Sequence, residues 1–183
     1  MNKLIQHSSN PENTDVVSVD YQVTNKQVSI QFKVLTPQVH VSDEFTKEGF
    51  ANHGLWNFDV VEVFIQKRET SSPASELITG DYLEIQCSPM NQKFALLVKK
   101  PRIEVEPIEA LGTQFSAIEI PGGFEVEFTI PITDIPGDGA DVYTNFCVCL
   151  GASDKRCYYA LNINTEGKAD FHRPDLFINI GKI

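Results

Sequence analysis

Apolar and polar residues alternate with a period of two along most of this chain. The alternation is plain in Val28-Ser29-Ile30-Gln31-Phe32 and again in Tyr82-Leu83-Glu84-Ile85-Gln86. Because successive side chains of a strand point to opposite faces of a sheet, this period indicates β-strands. About ten such segments, short and rich in β-branched or aromatic residues, are predicted at 17–19, 28–34, 60–65, 82–86, 94–98, 115–120, 124–130, 146–150, 158–163 and 176–180.

Turn residues separate these segments, as in Thr79-Gly80-Asp81, Pro121-Gly122-Gly123 and Pro136-Gly137-Asp138-Gly139. Only 42–50 and 131–135 could form helical turns, and both are too short to be principal elements. The stretch 67–79 is the best candidate for a long hairpin loop. The expected fold class is therefore all-β: an antiparallel β-sandwich, jelly-roll-like or immunoglobulin-like, with about ten strands and at most short helical turns.

Length and composition are those of one globular domain. The chain has 183 residues, of which 42% are hydrophobic and 22% are charged. Domains usually contain about 100 to 200 residues. Since no internal repeat or linker divides the sequence, we expect a single domain over 1–183. The cysteines Cys87, Cys147, Cys149 and Cys157 lack the dense spacing of a disulfide scaffold, which favours reduced and mostly buried thiols.

The acidity of the chain excludes some partners. Its formal net charge is −10 and its pI is near 4.8. Nucleic-acid binding depends largely on Lys and Arg replacing counterions, so nucleic acid is a poor partner, as is an anionic membrane. No apolar run is long enough to cross a membrane. Residues 1–8 lack the apolar stretch of a secretory signal, which favours a cytoplasmic protein.

Four segments, taken in order, carry a family resemblance: Trp56-Asn57-Phe58-Asp59-Val60-Val61-Glu62-Val63-Phe64-Ile65, Tyr82-Leu83-Glu84-Ile85-Gln86-Cys87-Ser88-Pro89, Gly123-Phe124-Glu125-Val126-Glu127-Phe128-Thr129-Ile130-Pro131 and Asp170-Phe171-His172-Arg173-Pro174-Asp175-Leu176-Phe177. Together they are similar to the family 9 carbohydrate-binding modules, and the last looks like the closing motif of family 9-like proteins of the broader DOMON-like group. The resemblance covers about residues 15–181. It implies a β-sandwich that binds sugars in a shallow cleft on one sheet, and it does not imply catalysis.

The resemblance implies that Trp56 stacks on the sugar ring and that Glu62 recognises hydroxyl groups. If 56–66 is one extended strand, alternation places both side chains on the same face. Alternation by itself extends a polar face to Tyr82, Glu84 and Gln86 on another strand. This combination suits a pyranose ring, whose apolar face can lie on an aromatic ring while its hydroxyls bond to carboxylates and amides.

Sugar-binding members of this family commonly enclose the ring between two tryptophans, and this chain has one. Phe171, Tyr158 or Tyr159 would then form the second wall. Arg102, with Lys99 and Lys100, is expected to neutralise the acids. The predicted ligand-binding residues are Trp56, Glu62, Tyr82, Glu84, Gln86, Arg102, Tyr158, Phe171 and His172.

A structural explanation stands beside each functional one. A lone Trp is often a core or rim residue, and Glu62 and Glu84 could be solvated outward-facing side chains. Glu125 and Glu127 alternate in the same way and are interpreted as a solvated face. His172 is expected to close the sandwich by bonding to a buried strand end, while Pro174 fixes the turn before the last strand.

No cofactor and no metal ligand is predicted. Asp134, Asp138 and Asp141 offer hard oxygen atoms that could bind calcium on a loop. DOMON sandwiches can also bind haem, which needs an axial His or Met in a roomy apolar pocket. The candidates His40, His53, Met90 and His172 have surroundings that single out none of them. Zinc spacing and a nucleophile elbow are absent from the sequence.

Three functions are carried forward. The leading one is non-catalytic carbohydrate binding through an aromatic and carboxylate-lined cleft on one sheet face, with a saccharide as ligand and no protein partner assigned. The second is a glycoside-processing enzyme, which would need Glu62 and Glu84 about 5 to 10 Å apart across an open cleft. The third is a structural or protein-interaction sandwich without a small-molecule ligand, which predicts a buried Trp56 and no cleft.

Overall fold

Thirteen β-strands form two antiparallel sheets in the computed structural model, which describes residues 2–7, 15–69, 80–152, 156–164 and 166–183. The strand order of the first sheet is β1 (Asn2–Lys3), β3 (Val16–Val23), β4 (Gln27–Leu35), β10 (Gly123–Pro131) and β9 (Gln114–Ile120). The order of the second sheet is β2 (Ile5–His7), β12 (Cys157–Ala160), β11 (Asp141–Leu150), β5 (Val60–Arg68), β6 (Tyr82–Cys87), β7 (Lys93–Lys100) and β8 (Glu104–Pro107). A last strand, β13 (Ile178–Lys182), pairs with the opposite end of β11 from β12.

The sheets enclose the main core through their alternating apolar positions. Phe32 of β4 is fully buried, and its ring lies 5.8 Å from the rings of Phe128 in the same sheet and of Phe146 in the other. On the solvent face of the first sheet, the carboxylate of Glu125 lies 3.5 Å from the Lys33 ammonium. The first sheet therefore has one buried and one wet face, as is usual for antiparallel sheets.

The second sheet is buried on both faces. Its inner face contributes Val61, Val63, Leu83 and Ile85 to the main core. Its outer face carries a second apolar cluster, formed by Leu55, Val60, Phe64, Tyr82, Phe94, Leu96, Val98, Cys147, Cys149, Ala160 and Phe177. The segments 45–58 and 166–177 pack on this outer face through Phe45, Leu55, Trp56, Phe171 and Phe177, so polar side chains on it are removed from water.

The predicted antiparallel β-sandwich is confirmed, and the helical content is limited to short 3-10 turns in the described residues. All ten predicted segments contain or overlap a strand. The additional strands β1, β2 and β8 are two to four residues long, too short to show a period. Residues 42–50 form turns and bends without a helix, while Ile132–Asp134 is a 3-10 turn. Of the predicted loop, 70–79 lies outside the described residues.

The expectation of one extended strand over 56–66 is wrong. β5 begins at Val60, and Leu55–Asn57 is a 3-10 turn. Gly54 precedes this turn with a φ of 92°, a left-handed conformation that glycine adopts without a Cβ clash. The 3-10 turn before β5, and not alternation along a strand, therefore determines the position of Trp56.

The side chains of Cys87, Cys147, Cys149 and Cys157 are all buried, and none of the four forms a disulfide bond. Among the described residues, no helix combines the length and the apolar character that a membrane crossing requires.

Replacing Phe32 by Ala should lower the free energy of unfolding by about 3–5 kcal/mol, because it leaves a cavity between the two sheets. Urea denaturation measures this change. Ile118→Ala on β9 is the control, since Ile118 is 53% exposed and its loss should cost no more than about 0.5 kcal/mol. Equal effects of the two substitutions would contradict the assigned core.

Candidate functional site

A cleft of about 730 Å³ lies on the outer face of the second sheet. This volume is in the range of small-molecule sites, about 300–1,000 Å³. Aromatic, apolar and charged side chains line it together. The lining residues are Trp56, Asn57, Glu62, Phe64, Glu84, Gln86, Leu96, Arg102, Val105, Cys149, Ala152, Arg156, Tyr158, Ala169, Phe171 and His172.

The floor of the cleft consists of Glu62, Glu84 and Gln86, which the pairing of β5 with β6 brings together. Glu62 lies opposite Gln86, and Phe64 lies opposite Glu84. Because the residues between them face the main core, all three polar side chains point to the outer face. They are only 1–3% exposed, so they are buried rather than solvated.

The amide of Gln86 links the two carboxyl groups of the floor. Its Nε2 donates to Glu62 Oε1 at 3.0 Å and to Glu84 Oε1 at 2.7 Å. Burial raises the pKa of Glu62, and the charge of Glu84 raises it further, while Arg156 lowers it. Burial also raises the pKa of Glu84, and the Gln86 hydrogen bond opposes that rise. The floor is therefore an unfavourable environment for two ionised carboxylates.

Several acceptor atoms of the floor side chains lack a good hydrogen-bond donor within the described residues. Glu84 Oε2 and Gln86 Oε1 are buried and have no hydrogen-bond partner in the described part of the chain. Glu62 Oε2 receives one long bond, from Cys149 Sγ at 3.9 Å. Buried acceptors without partners cost about 1–3 kcal/mol each, so the floor is poised to receive donors.

Arg156 holds the Trp56 turn against the sheet. Its guanidinium donates to the carbonyl oxygens of Trp56, Asn57 (3.1 Å), Phe58 (2.8 Å) and Gly151 (2.7 Å). The planar guanidinium presents its donors in a fixed fork, so one side chain can bind several carbonyls of a tight turn. Arg156 thus positions the wall of the cleft.

Asp59 makes a second connection directly before β5. Its carboxylate accepts from the backbone N–H groups of Gly151 at 2.6 Å and His40 at 2.9 Å. Burial raises the pKa of Asp59 in spite of these hydrogen bonds. Together with Arg156, Asp59 joins the start of β5 to the end of β11.

Trp56 is half-buried at the side of the cleft. Its ring packs edge-on against His53 with the centroids 4.7 Å apart, and against Phe94 at 5.4 Å. These contacts orient the indole while part of it stays open to the cleft. The contacts with His53 and Phe94 thus hold the exposed face of the Trp56 ring in a defined position at the cleft.

A second aromatic group comes from the segment 169–172 and from β12. The rings of Phe171 and Tyr158 lie 6.1 Å apart and nearly perpendicular, and Phe171 also approaches Phe64 at 6.3 Å. Both Phe171 and Tyr158 line the cleft, whereas Tyr159 packs in the main core. Tyr159 cannot therefore be the second wall, because alternation along β12 turns it to the inner face.

His172 connects this segment to the start of β6. Its Nδ1 lies 2.8 Å from the hydroxyl of Tyr82, and its Nε2 lies 3.7 Å from Glu84 Oε2, beyond hydrogen-bond distance. Burial lowers the pKa of His172, with Arg102 adding to the effect and Asp170 opposing it. A neutral His172 carries its proton on one ring nitrogen, so either Nδ1 accepts from the Tyr82 hydroxyl while Nε2–H faces Glu84, or Nδ1–H donates to the Tyr82 oxygen.

Arg102 lies at the rim, in the turn between β7 and β8. It adopts a φ of 63° and pairs with Asp170 at 2.7 Å. Asp170 also accepts from the backbone N–H of His172 at 3.1 Å. Arg102 and Lys99 therefore do not pair directly with the acids that they were expected to neutralise. Arg102 pairs with Asp170, and Lys99 pairs with Glu106.

Eight of the nine predicted ligand residues line this one cleft. The ninth, Tyr82, is fully buried and touches the lining through its hydrogen bond to His172 and its ring contact with Phe64. Glu125 and Glu127 lie on the first sheet, away from the cleft. The sequence interpretation missed two residues of the cleft, Arg156 and Cys149. The polar residues around Arg156 show no alternation that could have indicated its position. Cys149 could have been found, because its alternation with Val148 places it on the outer face.

Metal binding has no cluster to support it in the described ranges, where no three His, Cys, Asp or Glu side chains come together. The carboxylate of Asp134 accepts from Thr113 at 3.0 Å. Asp141 is buried, and its Oδ1 accepts from the amide of Asn179 at 3.0 Å. These contacts account for two of the three acids considered for calcium.

The fold and the cleft define a class: a two-sheet β-sandwich with an aromatic and carboxylate-lined cleft on the outer face of one sheet. Solved structures share this fold. A presumed carbohydrate-binding protein from Bacteroides uniformis matches with a TM-score of 0.71 at 15% identity, over 96% of this chain and 83% of its own.

A family 9 carbohydrate-binding module from Caldicellulosiruptor kristjanssonii also matches. Its cellotriose complex has a TM-score of 0.63 and its glucose complex 0.61, each at 18% identity over 96% of this chain, and over 78% and 82% of the module chains. No protein-family profile and no curated protein matches the sequence. The predicted family 9-like fold is confirmed, while the DOMON assignment stays a prediction.

Replacing Arg156 by Lys should loosen the Trp56 turn, because an ammonium cannot bind four carbonyls in the guanidinium geometry. We expect faster hydrogen exchange at 55–58, greater acrylamide quenching of Trp56 fluorescence, and a loss of about 1–3 kcal/mol in unfolding free energy. Arg173→Lys is the matched control, since Arg173 pairs with Asp175, two residues along the chain, at 2.6 Å. Unchanged quenching in Arg156→Lys would refute the positioning role.

Replacing Glu84 by Gln should stabilise the protein increasingly as the pH rises from about 4.3 to the raised pKa of Glu84, about 7, and the gain should level off above that pH. A carboxyl whose pKa is raised by folding binds its proton more tightly in the folded state, so its contribution to stability falls as the pH rises above the ordinary glutamate pKa of about 4.3. The substitution removes this loss. Urea denaturation at pH 4 to 9 measures it, with Glu125→Gln as control. A stability gain that shrinks with rising pH would contradict the assigned direction.

Proposed function

We propose that this protein binds a saccharide in the cleft of the second sheet and does not transform it. The observation that carries the proposal is the combination of a half-buried Trp56 at the side of the cleft with an acceptor-rich floor of Glu62, Glu84 and Gln86. A pyranose needs an aromatic surface for its C–H face and polar groups for its hydroxyls. Both are present within one cleft of suitable volume.

Each predicted residue receives a role from its position. Trp56 stacks on the sugar ring, and Phe171 with Tyr158 forms the opposite wall in place of a second tryptophan. Glu62 and Glu84 accept hydrogen bonds from the hydroxyls. These roles use contacts and burial that the fold provides before any ligand binds.

The remaining predicted residues act around that core. Gln86 orients the two carboxyl groups, and Arg102 supplies donors at the rim beyond its contact with Asp170. His172 lines the cleft, and Tyr82 positions it from below. Tyr82 is therefore proposed as a positioning residue instead of a direct ligand contact.

The structural neighbours support a saccharide as the ligand class. The module from Caldicellulosiruptor kristjanssonii was solved with cellotriose and with glucose, at identities where only the fold is shared. Glucose and short β-linked glucose oligomers are accordingly the first ligands to test. Which sugar this chain prefers depends on the side chains that line its own cleft.

Catalysis by Glu62 and Glu84 is less well supported than binding. A glycosidase places its two carboxyl groups on either side of the scissile bond. Here both groups lie side by side on the floor, within hydrogen-bond distance of the same Gln86 nitrogen. The elevated pKa of each acid follows from burial, so it does not by itself mark an acid–base pair.

The third function, a sandwich without a ligand, predicted a buried Trp56 and no cleft. Trp56 is half-buried and the cleft is present. An exposed concave site with polar groups at its base is more typical of ligand binding than of a plain structural surface.

Replacing Trp56 by Ala should weaken saccharide binding at least about ten-fold, which corresponds to about 1.4 kcal/mol of lost ring contact. Isothermal titration calorimetry with glucose, cellobiose and cellotriose at millimolar concentrations tests this. Trp56→Phe should lose less, because it retains an aromatic face, and Ile118→Ala on the first sheet should bind like the unaltered protein. Absence of binding across a broad saccharide panel would refute the proposed function.

A further inference from the structure

The floor of the cleft offers hydrogen-bond acceptors without matching donors. Both amide hydrogens of Gln86 are already used on Glu62 and Glu84. Within the described part of the chain, Glu84 Oε2 and Gln86 Oε1 have no hydrogen-bond partner, although His172 Nε2 lies 3.7 Å from Glu84 Oε2, and Glu62 Oε2 has the long contact to Cys149. Glu84 is 3% exposed, so its unpartnered oxygen is nearly withdrawn from water while the residue lines the cleft.

The charges around the floor do not balance these acids. Arg156 faces Glu62 but directs its hydrogen bonds to backbone carbonyls. Arg102 is paired with Asp170, and burial favours a neutral His172. Among the described lining residues, with both carboxyl groups ionised, the floor therefore has two anions, and the cation beside them, Arg156, hydrogen-bonds to backbone carbonyls.

We propose that the ligand of this cleft is an amino sugar whose free ammonium group binds on the floor between Glu62 and Glu84. This inference rests on the proposed function and specifies its substrate class. The ammonium would provide the missing donors and the missing positive charge together.

An ammonium fits the floor better than a hydroxyl group for two reasons. It has three donors and no acceptor, matching three side chains that present acceptors. Its hydrogen bonds to carboxylates are charge-assisted, about twice as strong as neutral ones. A hydroxyl brings a single hydrogen and leaves one charge of the floor uncompensated.

The aromatic lining favours the same ligand class. Phe64 lies between the floor and the wall, and Trp56, Tyr158 and Phe171 surround the space above. Cations are attracted to aromatic faces, most strongly where water is excluded. The cleft thus combines carboxylates with aromatic rings around a common volume.

Without a ligand, Glu62 and Glu84 can reduce the negative charge of the floor by binding a proton. Several neighbouring groups influence this proton uptake. Burial raises the pKa of both Glu62 and Glu84, so without a ligand they tend to retain a proton. The titratable and charged groups that face them are Tyr82, Arg102, Cys147, Cys149, Arg156, Tyr158, Asp170 and His172. An ammonium ligand would displace that proton, whereas a neutral sugar would leave it.

Calorimetry at pH 7 with four probes tests the proposal: glucosamine, glucose, N-acetylglucosamine and ethanolamine. We expect glucosamine to bind at least about ten-fold more tightly than glucose, as one charge-assisted hydrogen bond would provide. N-acetylglucosamine, which has the same ring without the charge, should not share this gain. Ethanolamine, an amine without the ring, should bind much more weakly than glucosamine.

Two variants make the test specific. Glu84→Gln keeps the shape but removes the charge, and should reduce the preference for glucosamine to within about three-fold, a difference of about 0.7 kcal/mol. Glu125→Gln, on the other sheet, should leave the preference unchanged. Thermal unfolding of both variants shows that the fold is retained.

The outcomes separate the inference from the function on which it rests. Glucose binding as tightly as glucosamine would overturn the ammonium preference and leave saccharide binding intact. Failure of all three sugars would overturn saccharide binding and the inference together. Ethanolamine binding as tightly as glucosamine would overturn the amino-sugar assignment, because the sugar ring would then add nothing to the binding of the amine. A glucosamine preference that survives in Glu84→Gln would overturn the assignment of the floor.

Discussion

Burial of both faces of the second sheet is the constraint on which the site depends. A sheet in a two-layer sandwich needs only one covered face, and the first sheet follows that rule with its wet outer surface. In the second sheet, loops cover the outer face as well, so Glu62, Glu84 and Gln86 are held away from water. Their mutual hydrogen bonds, raised pKa values and unpartnered oxygens all follow from that single circumstance.

Loops of this kind need polar connections, because irregular backbone leaves carbonyl and amide groups to satisfy. Arg156 binds the carbonyls of the Trp56 turn, and Asn52 bonds to the carbonyls of Thr46 and Lys93. Asn162 bonds to Asn145 and to the carbonyl of Leu176 on the other side. The cleft lies between these two fastened segments, so its walls are positioned by hydrogen bonds and its floor by the sheet.

The floor shows how a binding site can carry an energetic cost in the free protein. Two buried carboxyl groups that share one amide are less stable than an apolar pair of similar size would be. A ligand that brings donors or positive charge recovers part of this cost when it binds, which adds to its affinity. Stability and recognition are therefore coupled through the same two acids, and substitutions that remove one charge should separate the two properties.

Alternation along the chain determined the sandwich and the faces of β6, because a period of two places Glu84 and Gln86 opposite Leu83 and Ile85 wherever that strand lies. The sequence alone could not decide that the polar face would be buried, since burial depends on which loops fold over it. Trp56 reached the cleft by a route that alternation did not predict, through a 3-10 turn held by Arg156, a hundred residues further along the chain. Such long-range contacts have no local period, so only the tertiary structure shows them, together with the charges that surround the floor of the cleft.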